Sequence, residues 1–257
     1  MQAIDINCDL GESFGVYRLG EDDLIMPYIT SANIACGYHA GDPVVMHATV
    51  ELACRHRVAV GAHPGFPDLM GFGRRAMSLS PGEVRACVLY QLGALEAMAR
   101  AHATRLCHVK AHGALYNLAA VDLTLAKALA EAVARFDATL IFVALAGSCL
   151  VQAGSWAGLQ VAQEVFADRG YRDDGSLVPR GEAGALLQSP IEAAGRVRAL
   201  VTSGVLHTVG GAELPVQAHT LCVHGDTPGA AAFARNLHQE LRALAVPVLP
   251  LRQVVMS

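Results

Sequence analysis

Nowhere in its 257 residues does the sequence gather Lys and Arg into a block, and its net charge is −4 at pH 7. A chain that grips nucleic acid or an anionic membrane concentrates positive charge, so neither partner is expected. Long apolar runs are missing too. The longest, around residues 140–146, falls far short of the roughly 20 residues that cross a bilayer. The opening Met1-Gln2-Ala3-Ile4-Asp5 lacks the basic and apolar regions of an export signal. No Cys-x-x-Cys pair occurs, and an odd count of seven cysteines fits reduced thiols in a cytoplasmic protein. Cys8, Cys36, Cys107 and Cys222 lie in apolar runs and read as small buried hydrophobes. There is no Gly-x-x-x-x-Gly-Lys-Ser/Thr loop, no Gly-x-Gly-x-x-Gly after the first strand and no His-Glu-x-x-His. Those absences remove the P-loop, dinucleotide and zincin signatures.

What is present is a folded composition, 53% apolar and 16% charged. A core of this length can bury roughly 75% of the unfolded chain's surface. Strand-like runs fall near residues 3–8, 32–36, 58–62, 106–110, 139–145, 160–165 and 219–223, with helix-like segments between most of them. Helix starts are well marked. Ser80-Pro81-Gly82-Glu83 and Ser189-Pro190-Ile191-Glu192 combine a capping Ser, Pro at the first position and Glu at the third. Asp42-Pro43 and Thr227-Pro228 repeat the cap-plus-Pro pattern. The helix after Ser80 should run to about Ala101. Alternating strands and helices imply parallel pairing, and about seven units point to an α/β fold, one (β/α) barrel spanning residues 1–257. A doubly wound open sheet is the alternative. Residues 205–217 break the rhythm and read as a short hairpin around Gly210-Gly211.

Four stretches begin as strands and break into Gly, His and carboxylates: Asp5-Ile6-Asn7-Cys8-Asp9-Leu10-Gly11-Glu12, Ala35-Cys36-Gly37-Tyr38-His39, Val109-Lys110-Ala111-His112 and Cys222-Val223-His224-Gly225-Asp226. In a (β/α) barrel such breaks mark the strands' C-terminal ends, where active sites form. Asp9 and Glu12 suit metal ligation or acid/base work. The competing reading is that they cap a following turn. His39 and His63 close neighbouring strands, and a His pair with Asp9 is a common metal-site composition. Lys110 and His112 share a side of strand four. A lysine in a barrel mouth needs an anion, either a ligand or an ion pair with Asp9 or Glu164. His108 lies deeper and reads as a core histidine. The loop of residues 64–75 is apolar yet rich in Gly and Pro. It must bury Phe66, Leu69, Met70 and Phe72 as a lid or an interface. Arg74 and Arg75 suit an anionic group. Glu164 closes strand six, ahead of Asp168, Arg169 and Tyr171, and His224 and Asp226 close strand seven before a helix capped by Thr227.

Taken in order, these segments resemble the LamB/YcsF family. The likeness rests on residues 5–13, 31–42, 61–75, 109–117, 164–171 with Leu177-Val178-Pro179-Arg180, and 222–228. The resemblance implies a seven-stranded, deacetylase-like (β/α) barrel serving as the A component of 5-oxoprolinase. That enzyme opens the lactam of 5-oxoproline (pyroglutamate) to L-glutamate with ATP as co-substrate, and requires subunits B and C. On this reading a base for water and an acid for the leaving nitrogen come from Asp9, Glu12, His39, His63, His112 and Glu164. Cations come from Lys110 with Arg74 or Arg75, and Asn7, His224 and Asp226 join in holding substrate. A divalent metal, if present, would sit on His39 and His63 with a carboxylate from Asp9 or Glu12. Two other readings stay open: a stand-alone metal-dependent amide or carbohydrate deacetylase, and a non-catalytic component that presents substrate to its partners.

Overall fold

Seven parallel strands close into a barrel in the order β1-β2-β3-β4-β5-β6-β9. The computed structural model describes residues 3–187, 189–224 and 229–256. The barrel strands are β1 (Asp5–Leu10), β2 (Ser31–Ala35), β3 (Ala59–His63), β4 (His108–Val109), β5 (Ile141–Leu145), β6 (Gln160–Phe166) and β9 (Thr220–His224). β9 closes the ring by pairing with β6 on one side and β1 on the other, with Asp9 opposite His224. The remaining two strands, β7 (Val205–His207) and β8 (Glu213–Pro215), form the antiparallel hairpin expected around Gly210-Gly211.

The helices are α1 (Asp22–Ile25), α2 (Pro43–His56), α3 (Pro81–Ala101), α4 (Gly113–Val121), α5 (Leu123–Phe136), α6 (Cys149–Trp156), α7 (Pro190–Ser203), α8 (Ala230–Ala243) and α9 (Leu251–Val255). The expected starts hold at α2 and α3. Asp42 accepts from the Val44 and Val45 amides, and Ser80 with Glu83 forms a complete capping box. Two starts differ. Ser189 makes no capping bond, so α7 begins on Pro190 and its fixed φ alone. α8 begins two residues later than the Thr227-Pro228 pattern implies, with Gly229 at the cap in the left-handed region (φ 83). Thr227 and Pro228 themselves lie outside the described residues.

Aliphatic layers usually fill such a barrel. Here the lower interior is a hydrogen-bonded polar column. Asp5, Asn7 and Asp9 alternate along β1 with Ile6, Cys8 and Leu10, and all six are buried. Asp5 accepts from Thr30 (2.6 Å), Ser31 (2.7 Å) and Thr220 (2.5 Å). Asn7 donates to Thr220 (2.7 Å) and Glu164 (2.9 Å) and accepts from Asn33 (2.7 Å). Asn33 also donates to Asp9 (2.8 Å) and accepts from His108 Nε2 (2.8 Å). Apart from His108 Nδ1, the column is therefore satisfied across β1, β2, β4, β6 and β9, which is the condition for burying it. Gly61 on β3 makes room for it, since a Cβ there would stand 2.0 Å from His108 Nε2.

Burial raises the Asp5 carboxyl from 3.8 to about 6, against the opposing hydrogen bonds from Thr220, Thr30 and Ser31. The folded state thus keeps a proton that the unfolded chain releases near 3.8. Between these values the native state binds more protons, so stability falls as pH rises from about 4 to about 6. Asp5→Asn removes this dependence. Urea unfolding across that window should find wild type losing about 2 kcal/mol relative to the variant. A gap that stays constant with pH would mean that Asp5 titrates normally.

Candidate active site

At the C-terminal ends of the strands the polar column opens into a small chamber of about 40 Å³. Asp9, Glu12, His63, Lys110, His112 and Tyr116 line it, with Arg74, Arg169 and Arg180 at its edge. Lys110 forms the floor, buried to 2% exposure. Its Nζ lies 2.9 Å from Asp9 Oδ1 and 2.9 Å from Glu164 Oε1, and donates to Asn7 Oδ1 (3.2 Å) and Cys222 Sγ (3.0 Å). Burial opposes the lysine's charge. Asp9, Cys222 and Glu164 outweigh it and hold the ammonium well above its usual range. The ion-pair alternative for Lys110 is therefore what the structure contains, with both Asp9 and Glu164 as partners. Tyr116 donates to the other oxygen of Glu164 (2.7 Å), and burial together with Glu164 keeps that phenol protonated.

Three imidazoles gather above this floor. His39 and His112 stack face to face at 3.7 Å, and His63 meets both edge-on. Their hydrogen-bond partners fix where the protons sit. His63 Nδ1 faces the Lys110 carbonyl (2.8 Å) and must donate to it, and in the neutral imidazole the lone pair is then on Nε2. His112 Nε2 faces the Phe72 carbonyl (2.8 Å) and must donate, which leaves a lone pair on Nδ1. These two lone-pair nitrogens face one another at 3.0 Å. Carboxylates surround them: Asp9 Oδ2 is 3.3 Å from His63 Nε2, and Glu12 Oε1 is 3.7 Å from His112 Nδ1 and 3.8 Å from His39 Nε2. Neither ring nitrogen of the buried His39 has a hydrogen-bond partner among the described residues. Burial first, and the neighbouring histidines second, push His39 and His112 well below the usual imidazole range, so both remain neutral.

The result is a patch rich in acceptors and poor in protons. One donor atom each from Glu12, His39, His63 and His112 lies within 4.8 Å of every other. Buried lone pairs aimed at one point repel unless a cation or a shared proton lies among them. Three imidazoles and a carboxylate form a donor set suited to a divalent transition metal. Of the metal set expected from sequence, His39 and His63 with Asp9 or Glu12, the two imidazoles and Glu12 belong to this group.

The 64–75 loop is the wall that holds the histidines. Gln91 of α3 bonds both the amide and the carbonyl of Gly65 (2.9 Å each), and the His112 amide donates to Pro64. Gly73 has φ +63, and a Cβ there would meet His39 and His112 side-chain atoms at 2.7 and 2.8 Å. Only glycine lets the loop lie this close. Phe66 is buried, but Leu69 and Met70 remain exposed, contrary to the expectation that the loop buries all four apolar side chains. The cause is a tight turn at Asp68, which accepts from the Gly71 amide and pairs with Arg75. Arg75 is spent on that pair, which holds the Asp68 carboxyl down at about 2. Its neighbour Arg74 lies over the Phe72 ring (4.7 Å) and reaches the chamber.

The structure thus brings Asp9, Glu12, His63, Lys110, His112 and Arg74 to one chamber. His39 and Glu164 stand directly behind them, and Asn7 sits one step deeper. The backbone of His224 ends β9 beside Asp9, but its side chain and the whole of Asp226 lie outside what is described. His108 is a core histidine whose Nε2 donates to Asn33, while its Nδ1 has no partner among the described residues. Sequence reasoning gave no role to Tyr116, Asn33, Arg169 or Arg180. Tyr116 had a legible signal, because it lies one helical turn beyond His112 and shares its face.

Relatives of this chain are numerous. A protein from Symbiobacterium thermophilum, named as the A component of 5-oxoprolinase, is 56% identical over 248 residues, 96% of this chain and 95% of the relative. One of the same name from Pyrococcus abyssi is 50% identical, covering 98% and 99% of the two chains. The crystal structure of a lactam utilization protein from Thermus thermophilus superposes with a TM-score of 0.91 at 46% identity, over 97% of this chain and all of the other. A putative cellobiose-phosphate cleavage protein from Enterococcus faecalis, 11% identical over 98% of each chain, shares the fold with a TM-score of 0.61. The model of the LamB/YcsF family matches residues 4–256. By sequence, by fold and along almost its whole length, this chain belongs to the LamB/YcsF family.

Proposed function

We propose that this chain is the lactam-opening component of a 5-oxoprolinase, one catalytic barrel that works in the cytoplasm with subunits B and C. The net reaction is 5-oxoproline plus ATP plus two waters to L-glutamate, ADP and phosphate. The observation that carries the reading is the chamber itself. Two carboxylates and two lone-pair imidazole nitrogens face one small polar cavity beside guanidinium groups. Full-length relatives named for this enzyme point the same way.

A five-membered lactam is a stable amide. Transfer of a phosphoryl group from ATP to its oxygen makes the ring carbon electrophilic. One water then adds to that carbon, and the carbon–nitrogen bond breaks as a proton passes to nitrogen. A second water releases phosphate. In this chain Asp9 is the candidate base or base-orienting group, with Lys110 and Asn33 fixing one of its oxygens and leaving Oδ2 toward the chamber. With no metal bound, Glu12 and His112 stand across from it to move a proton to nitrogen. Tyr116, Glu164 and Lys110 form the rigid floor, and Arg74 supplies positive charge for the substrate's anionic groups. Glu12, His39, His63 and His112 would hold a divalent metal. Such an ion would act as a Lewis acid on the ring carbonyl and on water.

Asp9→Asn keeps size and hydrogen bonding but loses the charge. In the complex reconstituted with B and C it should lower glutamate formation by about 10²–10⁴-fold with the fold intact. Unchanged turnover would move the chemistry to a partner and favour a presenting role. The purified chain should also be assayed alone, with metal and without ATP. Hydrolysis of an N-acyl sugar under those conditions would replace the proposal with the deacetylase reading.

Elemental analysis tests the metal. Protein prepared without chelators should carry about one equivalent of a transition metal, and His112→Ala should lose most of it, since loss of one imidazole removes one of four donors. Metal-free protein fully active in the complex would leave a shared proton as the cation between His63 and His112.

A further inference from the structure

Arg169 is 4% exposed, yet it lines both the chamber and a larger cavity of about 270 Å³ into which the chamber opens. It stands just past β6, in the segment that leads to α7. Main-chain carbonyls hold one edge of its guanidinium. Nε donates to Ala185 O (3.1 Å) and Nη2 to Val178 O (2.6 Å). The third nitrogen, Nη1, has no acceptor among the described residues. Those two bonds use the side edge of the planar group and leave its far end, Nη1 with the second N–H of Nη2, unused. Neither carbonyl carries a charge. A buried guanidinium whose hydrogen bonds go to neutral acceptors keeps most of its desolvation cost. After burial itself, the like charge of Arg180 does most to lower the basicity of Arg169, ahead of the opposing Asp168.

The other cations nearby are already engaged. Lys110 serves Asp9 and Glu164, Arg75 serves Asp68, and Arg74 and Arg180 each have a partner. One planar end with two parallel N–H groups matches one carboxylate, held bidentately. We infer that Arg169 is a substrate-binding residue whose free end grips the single carboxylate of the lactam substrate. The inference rests on the lactam-opening reading. 5-Oxoproline carries one charged group, on the ring carbon beside nitrogen. With that group on Arg169, the carbonyl carbon on the other side of nitrogen can turn toward Asp9 and Glu12, which line the same chamber. Leu145, Leu177 and Pro179 give the outer cavity an apolar surface suited to the ring methylenes. A neutral lactam would leave the buried guanidinium unpaired, so the same contact selects for the acid. The competing role is a purely structural tie, in which Arg169 does no more than hold the Val178 and Ala185 segment against the barrel.

Two substrates separate these roles in the complex reconstituted with B and C: 5-oxoproline and its neutral carboxamide, 5-oxoprolinamide. Wild type should favour the acid in kcat/KM by about tenfold to a hundredfold, the worth of a charged hydrogen-bonded pair. Arg169→Lys keeps a charge and a donor for the carbonyls but loses the planar fork. It should raise KM for 5-oxoproline by about tenfold or more and leave the carboxamide's kinetics unchanged. Arg169→Gln should abolish the preference for the acid. A structural tie predicts instead that both substrates lose the same factor, and that result overturns the inference. So does wild type turning over acid and carboxamide equally well, a comparison that needs no variant and decides the question even if neither variant folds. The lactam reading fails differently. A wild-type complex with no 5-oxoproline-dependent ATP hydrolysis removes that reading and this inference together, whereas normal turnover with an equal loss on both substrates removes the role of Arg169 alone.

Discussion

A lysine ammonium buried under the active chamber, clamped between two carboxylates, is the constraint on which the rest of the site depends. Lys110 meets Asp9 and Glu164 at 2.9 Å each, and none of the three is more than 8% exposed. Burying the lysine alone would cost several kcal/mol, and so would burying either carboxylate. Together they are tolerable because the surrounding polar groups are matched as well. Asn7 and Asn33 bridge the carboxylates to one another and to the Asp5 cluster below, and Tyr116 closes the far oxygen of Glu164. The barrel interior is therefore a framework of directional bonds. It fixes where Asp9 points before any substrate arrives, which is the preorganisation that catalysis requires.

The same framework explains the imbalance above it. Below the chamber acceptors and donors are matched except at His108 Nδ1. Above it, the protons of His63 and His112 are drawn outward to main-chain carbonyls, and their lone pairs turn inward toward Asp9 and Glu12. The 64–75 loop enforces this through the Phe72 carbonyl and through glycines that let it press on the imidazole stack. Satisfied polarity beneath and crowded acceptors on top define the surface at which a cation and an electrophilic carbonyl would be welcome.

Much of this was legible in the sequence. Seven strand-like runs, the capping box at Ser80 and the irregular 205–217 stretch give the barrel and its hairpin, because period and cap chemistry are local. Asp9, His63, Lys110 and His112 were legible as a converging set, since in a barrel strand ends share one face. Pair geometry was not. Whether Lys110 served a ligand or an ion pair depended on the register that sets Asp9, Glu164 and Cys222 around it, and no local signal encodes register. Arg75 and Arg74 look equivalent in sequence, but a turn at Asp68 captures one and leaves the other facing the chamber. Arg169 and Arg180 reach the site from a segment without regular secondary structure, so periodicity gave them no direction.

The central claim is that the Lys110 charge cluster organises the site. A double-mutant cycle on Lys110→Met and Glu164→Gln, followed by denaturant unfolding, tests it most directly. Lys110→Met alone leaves two buried carboxylates without their cation and should cost about 3–5 kcal/mol. Adding Glu164→Gln should return part of that loss, with a coupling of about 1–3 kcal/mol. Strictly additive costs would contradict the account, because the lysine would then not be compensating the carboxylate beside it.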